Sequence, residues 1–163
     1  MTQLTTSTTQ PSRKQVEQQL AASLPRSVVT SLREKVDSDY NVTGYDVVGG
    51  ANASEIEKAI DILRRSETPM APREIGQLIA RLLALTKQRA TDQLTTDLAV
   101  EAYGSLLEEY PADIVREVMM KWPEIERRGK WFPSWNELKE EIDWRNTRAM
   151  KREALENNVR RER

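Results

Sequence analysis

Two segments decide how this chain is read: Leu106-Leu107-Glu108-Glu109-Tyr110-Pro111-Ala112-Asp113-Ile114-Val115 and, further on, Trp131-Phe132-Pro133-Ser134-Trp135. They carry the punctuation of three helices within Thr95–Trp144. Leu98, Ala102, Leu106 and Tyr110 recur every four residues, with Tyr103 and Leu107 beside them, so the first helix is expected to bury that face. Pro111 ends it, because a residue before proline is pushed out of the α region, and Pro111 also suits the start of the next helix. Ile114, Val115, Val118, Met119 and Trp122 form one stripe that stops at Pro123. Glu124–Lys130 reads as a charged link pivoting on Gly129. Ser134-Trp135-Asn136-Glu137 fits a capping box for a third helix whose inner face carries Trp135, Leu138 and Ile142. The rings of Trp122, Trp131, Phe132 and Trp135 read as core and corner packing, a reading that outweighs a ligand pocket in a small helical domain short of apolar surface.

Upstream, Ile75, Leu78, Ile79, Leu82 and Leu83 make the most regular amphipathic stretch, with Pro72 suited to its first turn. Its stripe needs a partner, and the nearest are the helices around Pro111, reached through the short polar link Lys87–Asp92. Ser54-Glu55-Ile56-Glu57 fits another capping box, and Ile56, Ile60 and Leu63 mark the helix behind it. Asp37–Ala53 is full of turn formers and reads as a surface loop. A strand pair around Val42 and Val47-Val48 would be marginal alone in water. Gly49-Gly50 lacks the spacing and the lysine of a phosphate loop. Val28 or Val29, Leu32 and Val36 suggest a short helix, as do Val16, Leu20 and Leu24 behind a weak cap at Ser12. Met1–Gln10 is almost all Thr, Ser and Gln and reads as a mobile arm.

Hydrophobic residues make up 38% of the 163 and the mean hydropathy is −0.68, so part of the chain is expected to be solvated. Charge is uneven. Residues 1–94 carry 12 basic and 11 acidic groups, residues 95–144 carry 6 and 12, and residues 145–163 carry 7 and 3. An acidic body at −6 followed by a basic tail at +4 does not suit a protein lying broadly on DNA. No apolar run reaches membrane length, and the expected location is the cytoplasm. The expected fold is all-α: a compact antiparallel helical bundle at 54–144, preceded by a flexible arm (1–10) and a section of short helices with a glycine-containing loop (11–53), and followed by a basic helix or tail (145–163) extending beyond the body.

Histidine and cysteine are absent, which removes the commonest general base, most zinc sites and thiol nucleophiles. Asp113, Glu117 and Lys121 share a helical face, but that spacing equally makes surface ion pairs and reads as a solvated face. No catalytic, metal or cofactor site is expected. The tail cations Arg145, Arg148, Lys151, Arg152, Arg160, Arg161 and Arg163 are the candidate partner-binding residues. Trp122, Trp131, Phe132, Ser134, Trp135 and Leu82 are the candidate structural ones.

The layout from Ser54 to Ile142 resembles small phage and prophage proteins of the replicative DNA helicase loader/inhibitor type. The features that carry it are the apolar helix Ile75–Leu85, a helix ending on Leu107 and Tyr110, Pro111-Ala112-Asp113-Ile114-Val115 opening a helix that closes on Trp122, and Trp131-Phe132-Pro133-Ser134 starting the last helix. The resemblance implies a non-enzymatic adaptor whose tail region engages a hexameric replicative helicase, with Arg145–Arg163 as the contacting segment. The alternatives are a regulator that binds nucleic acid through the basic tail and a self-associating phage assembly adaptor.

Overall fold

The computed structural model describes residues 15–88 and 93–163, with side chains in the second span from Asp97 onward. In chain order the helices are α1 (Gln15–Ser23), α2 (Arg26–Ser31), α3 (Ala53–Ser66), α4 (Pro72–Leu85), α5 (Gln93–Leu107), α6 (Ala112–Lys121), α7 (Trp135–Arg145) and α8 (Arg148–Glu162). A short 3-10 turn, Trp122–Glu124, follows α6, and strands β1 (Leu32–Val36) and β2 (Val42–Val47) lie between α2 and α3. The arm Met1–Gln10, the cap at Ser12 and most of the Lys87–Asp92 link lie outside the described residues.

Two apolar cores organise these elements. In the first, Ile75, Leu78, Ile79 and Leu82 of α4 meet Leu107, the stripe Ile114, Val115, Val118 and Met119 of α6, Trp122, and Leu138 and Ile142 of α7. The second gathers Leu24, Val28, Ile56, Ala59 and Leu63 around Leu155 of α8. Helix α1 joins them: Val16 packs on the first core and Leu20 on the second. The stripes on α4 and α6 therefore meet as their periodicity requires. Trp122 is buried, and its indole N–H donates to the Trp131 carbonyl at 2.9 Å, satisfying the one polar atom that burial would orphan. The turn that brings Trp131 back passes so close that a Cβ on Gly129 would meet the Trp122 carbonyl oxygen, with the Pro123 carbonyl oxygen at 2.5 Å and its carbon at 2.7 Å. Gly129 is thus required by backbone approach. Phe132 and Trp135 are partly buried against the first core, and Tyr103 stacks on Phe132 with centroids 5.8 Å apart.

The Ser134 hydroxyl accepts from the Glu137 amide at 3.3 Å and caps α7. Ser134→Ala is expected to cost about 1 kcal/mol, read as a lower urea midpoint at unchanged slope. An unmoved midpoint would mean the cap contributes nothing. At α3 the cap is Asn52, whose side chain accepts from the Glu55 amide at 2.9 Å, so the helix starts ahead of the Ser54 box.

The structure corrects the all-α reading in two places. The segment expected to be helical through Val36 leaves the helix at Ser31, and Leu32–Val36 pairs antiparallel with Val42–Val47, placing Leu32 opposite Val47 and Glu34 opposite Tyr45. A hairpin alone would be marginal, but this one lies against α8 with Tyr45 buried, which supplies the covered face it needs. The C-terminal segment is likewise no extended tail. It forms one helix to Glu162, packed on α3 and β2, with Leu155 fully buried. A smaller correction concerns α5. Leu98 is 59% exposed and Ala102 is exposed, while Leu107 is fully buried and Tyr103 packs inward, so its inner face is rotated from the four-residue repeat.

Candidate functional site

The chemistry-bearing side chains converge where the two cores meet, and Arg148 at the start of α8 is their hub. It is completely buried. Its Nε donates to Glu17 of α1 at 2.8 Å, its two terminal nitrogens donate to both oxygens of Asp113 at 2.9 and 3.0 Å, and Nη1 also donates to the Ser66 carbonyl at 2.6 Å. The fork geometry of a guanidinium suits this, since one planar group answers a bidentate carboxylate, a second carboxylate and a helix-end carbonyl together. Thr147 adds a hydroxyl bond to Glu17 at 3.2 Å. Four elements (α1, α3, α6 and α8) are thereby tied at one point.

Arg145, at the end of α7, makes a second knot three residues earlier. Its Nη1 donates to the Glu141 carboxylate at 2.8 Å and to the Glu141 carbonyl at 2.7 Å. Its Nε stands 3.9 Å from Oε2 of Glu117; both atoms are buried and neither makes a hydrogen bond, so this pair is held by charge alone. The other oxygen of Glu117 accepts from Lys121 at 3.0 Å. The Asp113, Glu117 and Lys121 face is therefore half interior, where the sequence suggested solvent. Tyr45 reaches toward the same region. Burial is the main reason its hydroxyl is pushed up to about 12, against the opposing hydrogen bond with Thr147. Every donor of Arg148 is committed, and of its two carboxylate partners Glu17 is buried while Asp113 is 41% exposed. No group of three or more His, Cys, Asp or Glu able to hold a metal ion occurs among the described residues.

The seam opens outward into a cleft of about 580 Å³. Tyr40, Asn41 and Val42 from the hairpin tip form one wall. Glu140, Glu141, Asp143 and Trp144 of α7, with Arg128, form the other, and Thr147 and Met150 lie at the α7–α8 junction. A shallower groove of about 320 Å³ runs between α3 and the far end of α8, with Ile60 and Val159 among Arg64, Arg160 and Arg163.

No family model, curated protein or solved structure matches the chain.

The structure divides the seven tail cations. Arg145 and Arg148 face inward. Arg152 binds Glu67 at 2.6 Å and Glu156 at 3.2 Å, which raises its pKa chiefly through the Glu67 hydrogen bond. Lys151 lies 5.4 Å from the Tyr45 ring centroid. Arg160, Arg161 and Arg163 are exposed and make no ion pair among the described residues. Sequence reasoning missed Glu17 and Tyr40 altogether. An acidic residue on a thinly apolar helix carries no local sign that its partner lies 131 positions away.

Proposed function

We propose that the chain is a non-enzymatic adaptor of the replicative-helicase loader/inhibitor type, docking on a protein partner through the last turns of α8. The observation that carries this reading is the division among the arginines. Two of them, Arg148 and Arg152, hold α8 to the body, and Arg145 is paired at the end of α7 just before it, which leaves the outer end of α8 presented with Arg160, Arg161 and Arg163 on it. A cationic end on a fixed helix, beside a groove with Ile60 and Val159, suits a protein surface that offers carboxylates around an apolar contact. It suits nucleic acid less well, because Glu156 and Glu57 line the same groove.

Deleting the chain after Trp144 would remove Arg148 and Leu155 from the interior, so point variants are the sound test. The triple variant Arg160→Gln, Arg161→Gln, Arg163→Gln is expected to keep its fold and to lose capture of a bacterial replicative helicase in a pulldown. Undiminished capture would refute docking by this end of α8. Steeply salt-dependent DNA affinity lost in the same variant would favour the nucleic-acid regulator instead.

A further inference from the structure

We propose that the cleft between the hairpin tip and α7 is a second interaction site, seating an arginine- or lysine-bearing segment of a protein partner. It stands independently of the α8 arginines, which lie at the other end of that helix. Fifteen residues of helix put about 22 Å between the two ends.

Tyr40 is the first ground. Its ring is 87% exposed, and its backbone is left-handed at φ 62°, a conformation that costs a bulky non-glycine residue. The turn is braced to hold it there. The Asp37 carboxylate accepts from the Asp39 and Asn41 amides, both at 2.9 Å, and its carbonyl accepts from the Tyr40 amide at 3.1 Å. The Asn41 amide bond is the largest of the effects that hold the Asp37 carboxyl below its ordinary range. Across the cleft Trp144 is 41% exposed. A protruding tyrosine and a half-exposed tryptophan lining one cleft are residue types enriched among the anchors of protein contacts.

Charge then selects the occupant. Three carboxylates, Glu140, Glu141 and Asp143, line the cleft beside Arg128, on a segment that carries −6 overall; Glu141 is already paired with Arg145, which leaves Glu140 and Asp143 as the two open to exchange. Arg128 binds Glu140 at 2.6 Å, and Lys139 binds Asp143. The Lys139–Asp143 pair is exposed and Arg128 is half-buried against an exposed Glu140, and pairs this open to water contribute at most about 1 kcal/mol, so an entering cation exchanges for them at little cost. The Trp144 ring already accepts one cation, the buried Arg145 at 5.4 Å from its centroid. Phosphate would meet the same carboxylates and be repelled.

The test is fluorescence anisotropy of the full chain with a labelled peptide alternating arginine and serine, beside an acidic peptide of equal length and a single-stranded oligonucleotide. The arginine peptide should bind saturably and more weakly as salt rises. Tyr40→Ala and Trp144→Ala should each weaken it about tenfold, Asp143→Asn should weaken it too, and the Arg160, Arg161, Arg163 triple variant should bind as wild type. Both rings are exposed, so circular dichroism should not change; if either alanine variant misfolds, Asp143→Asn alone decides. No saturable binding of the arginine peptide, equal binding of the acidic peptide or the oligonucleotide, or variants that bind normally would overturn the proposal. The α8 surface would then be unaffected, since its triple variant is read separately.

Discussion

Arg148→Ala is expected to destabilise the protein by about 3–5 kcal/mol, a large part of what a domain this size has. The reason is the company left behind more than the bonds lost. Glu17 is 5% exposed and would stay in the interior with only a threonine hydroxyl facing its charge. The Ser66 carbonyl would lose this donor and the Asp113 carboxylate both of its guanidinium bonds, keeping only the Ile114 amide. A buried pair cut on one side is costly, whereas a surface pair cut the same way is nearly neutral. Arg116→Ala is the matched control. Arg116 binds Glu74 at 2.7 Å, but both side chains are well exposed, so the change should cost well under about 1 kcal/mol. Denaturation in urea reads both. Similar midpoints for the two variants would show that the seam is open to water and that Arg148 is no hub. Replacing Glu17 and Arg148 together by apolar residues of similar size should recover much of the loss, because the desolvation cost of both ions then disappears.

What the sequence made legible follows from how local each signal is. The α4 and α6 stripes repeat at helical spacing, and their residues are buried where that spacing put them. Ser134 advertised its cap through a residue three positions on, and the bond forms. The features that failed depend on distant partners. Leu32–Val36 carries apolar residues only at its two ends, a spacing usable by either helix or strand, and the choice was made by α8 lying over the hairpin from more than a hundred residues away. Helix α8 has few apolar residues, so composition pointed to solvent, yet its inner face is built from Leu155 and from arginines whose carboxylates sit on α1, α6 and the end of α3. Charge pairing of this kind has no periodicity to detect. The cleft shows the same limit: Tyr40 gained meaning only when the hairpin brought it into one cleft with Trp144.

Trp122→Ala should cost about 3–5 kcal/mol, the range for emptying a fully buried aromatic site. The site cannot readily collapse. Trp122 begins the 3-10 turn that closes α6, and the chain returning over it is pinned by Gly129 packed against the Trp122 and Pro123 backbone. A rigid turn leaves most of the cavity open, which puts the loss at the upper end of the range. The Trp131 carbonyl also loses the indole donor. Trp122→Phe keeps a six-membered ring in the site while removing the indole donor and the five-membered ring, and should cost less than the alanine change, roughly 1–3 kcal/mol. Leu82→Ala, in the same core, should cost about 2–5 kcal/mol on its own. If α4 and the α6 turn close over each other as described, the double variant will depart from additivity by about 0.5–3 kcal/mol, because each cavity lets the other wall relax. Strict additivity would mean that the two side chains sit in mechanically separate parts of the core, and the packing of α4 on the turn at Trp122 would have to be redrawn.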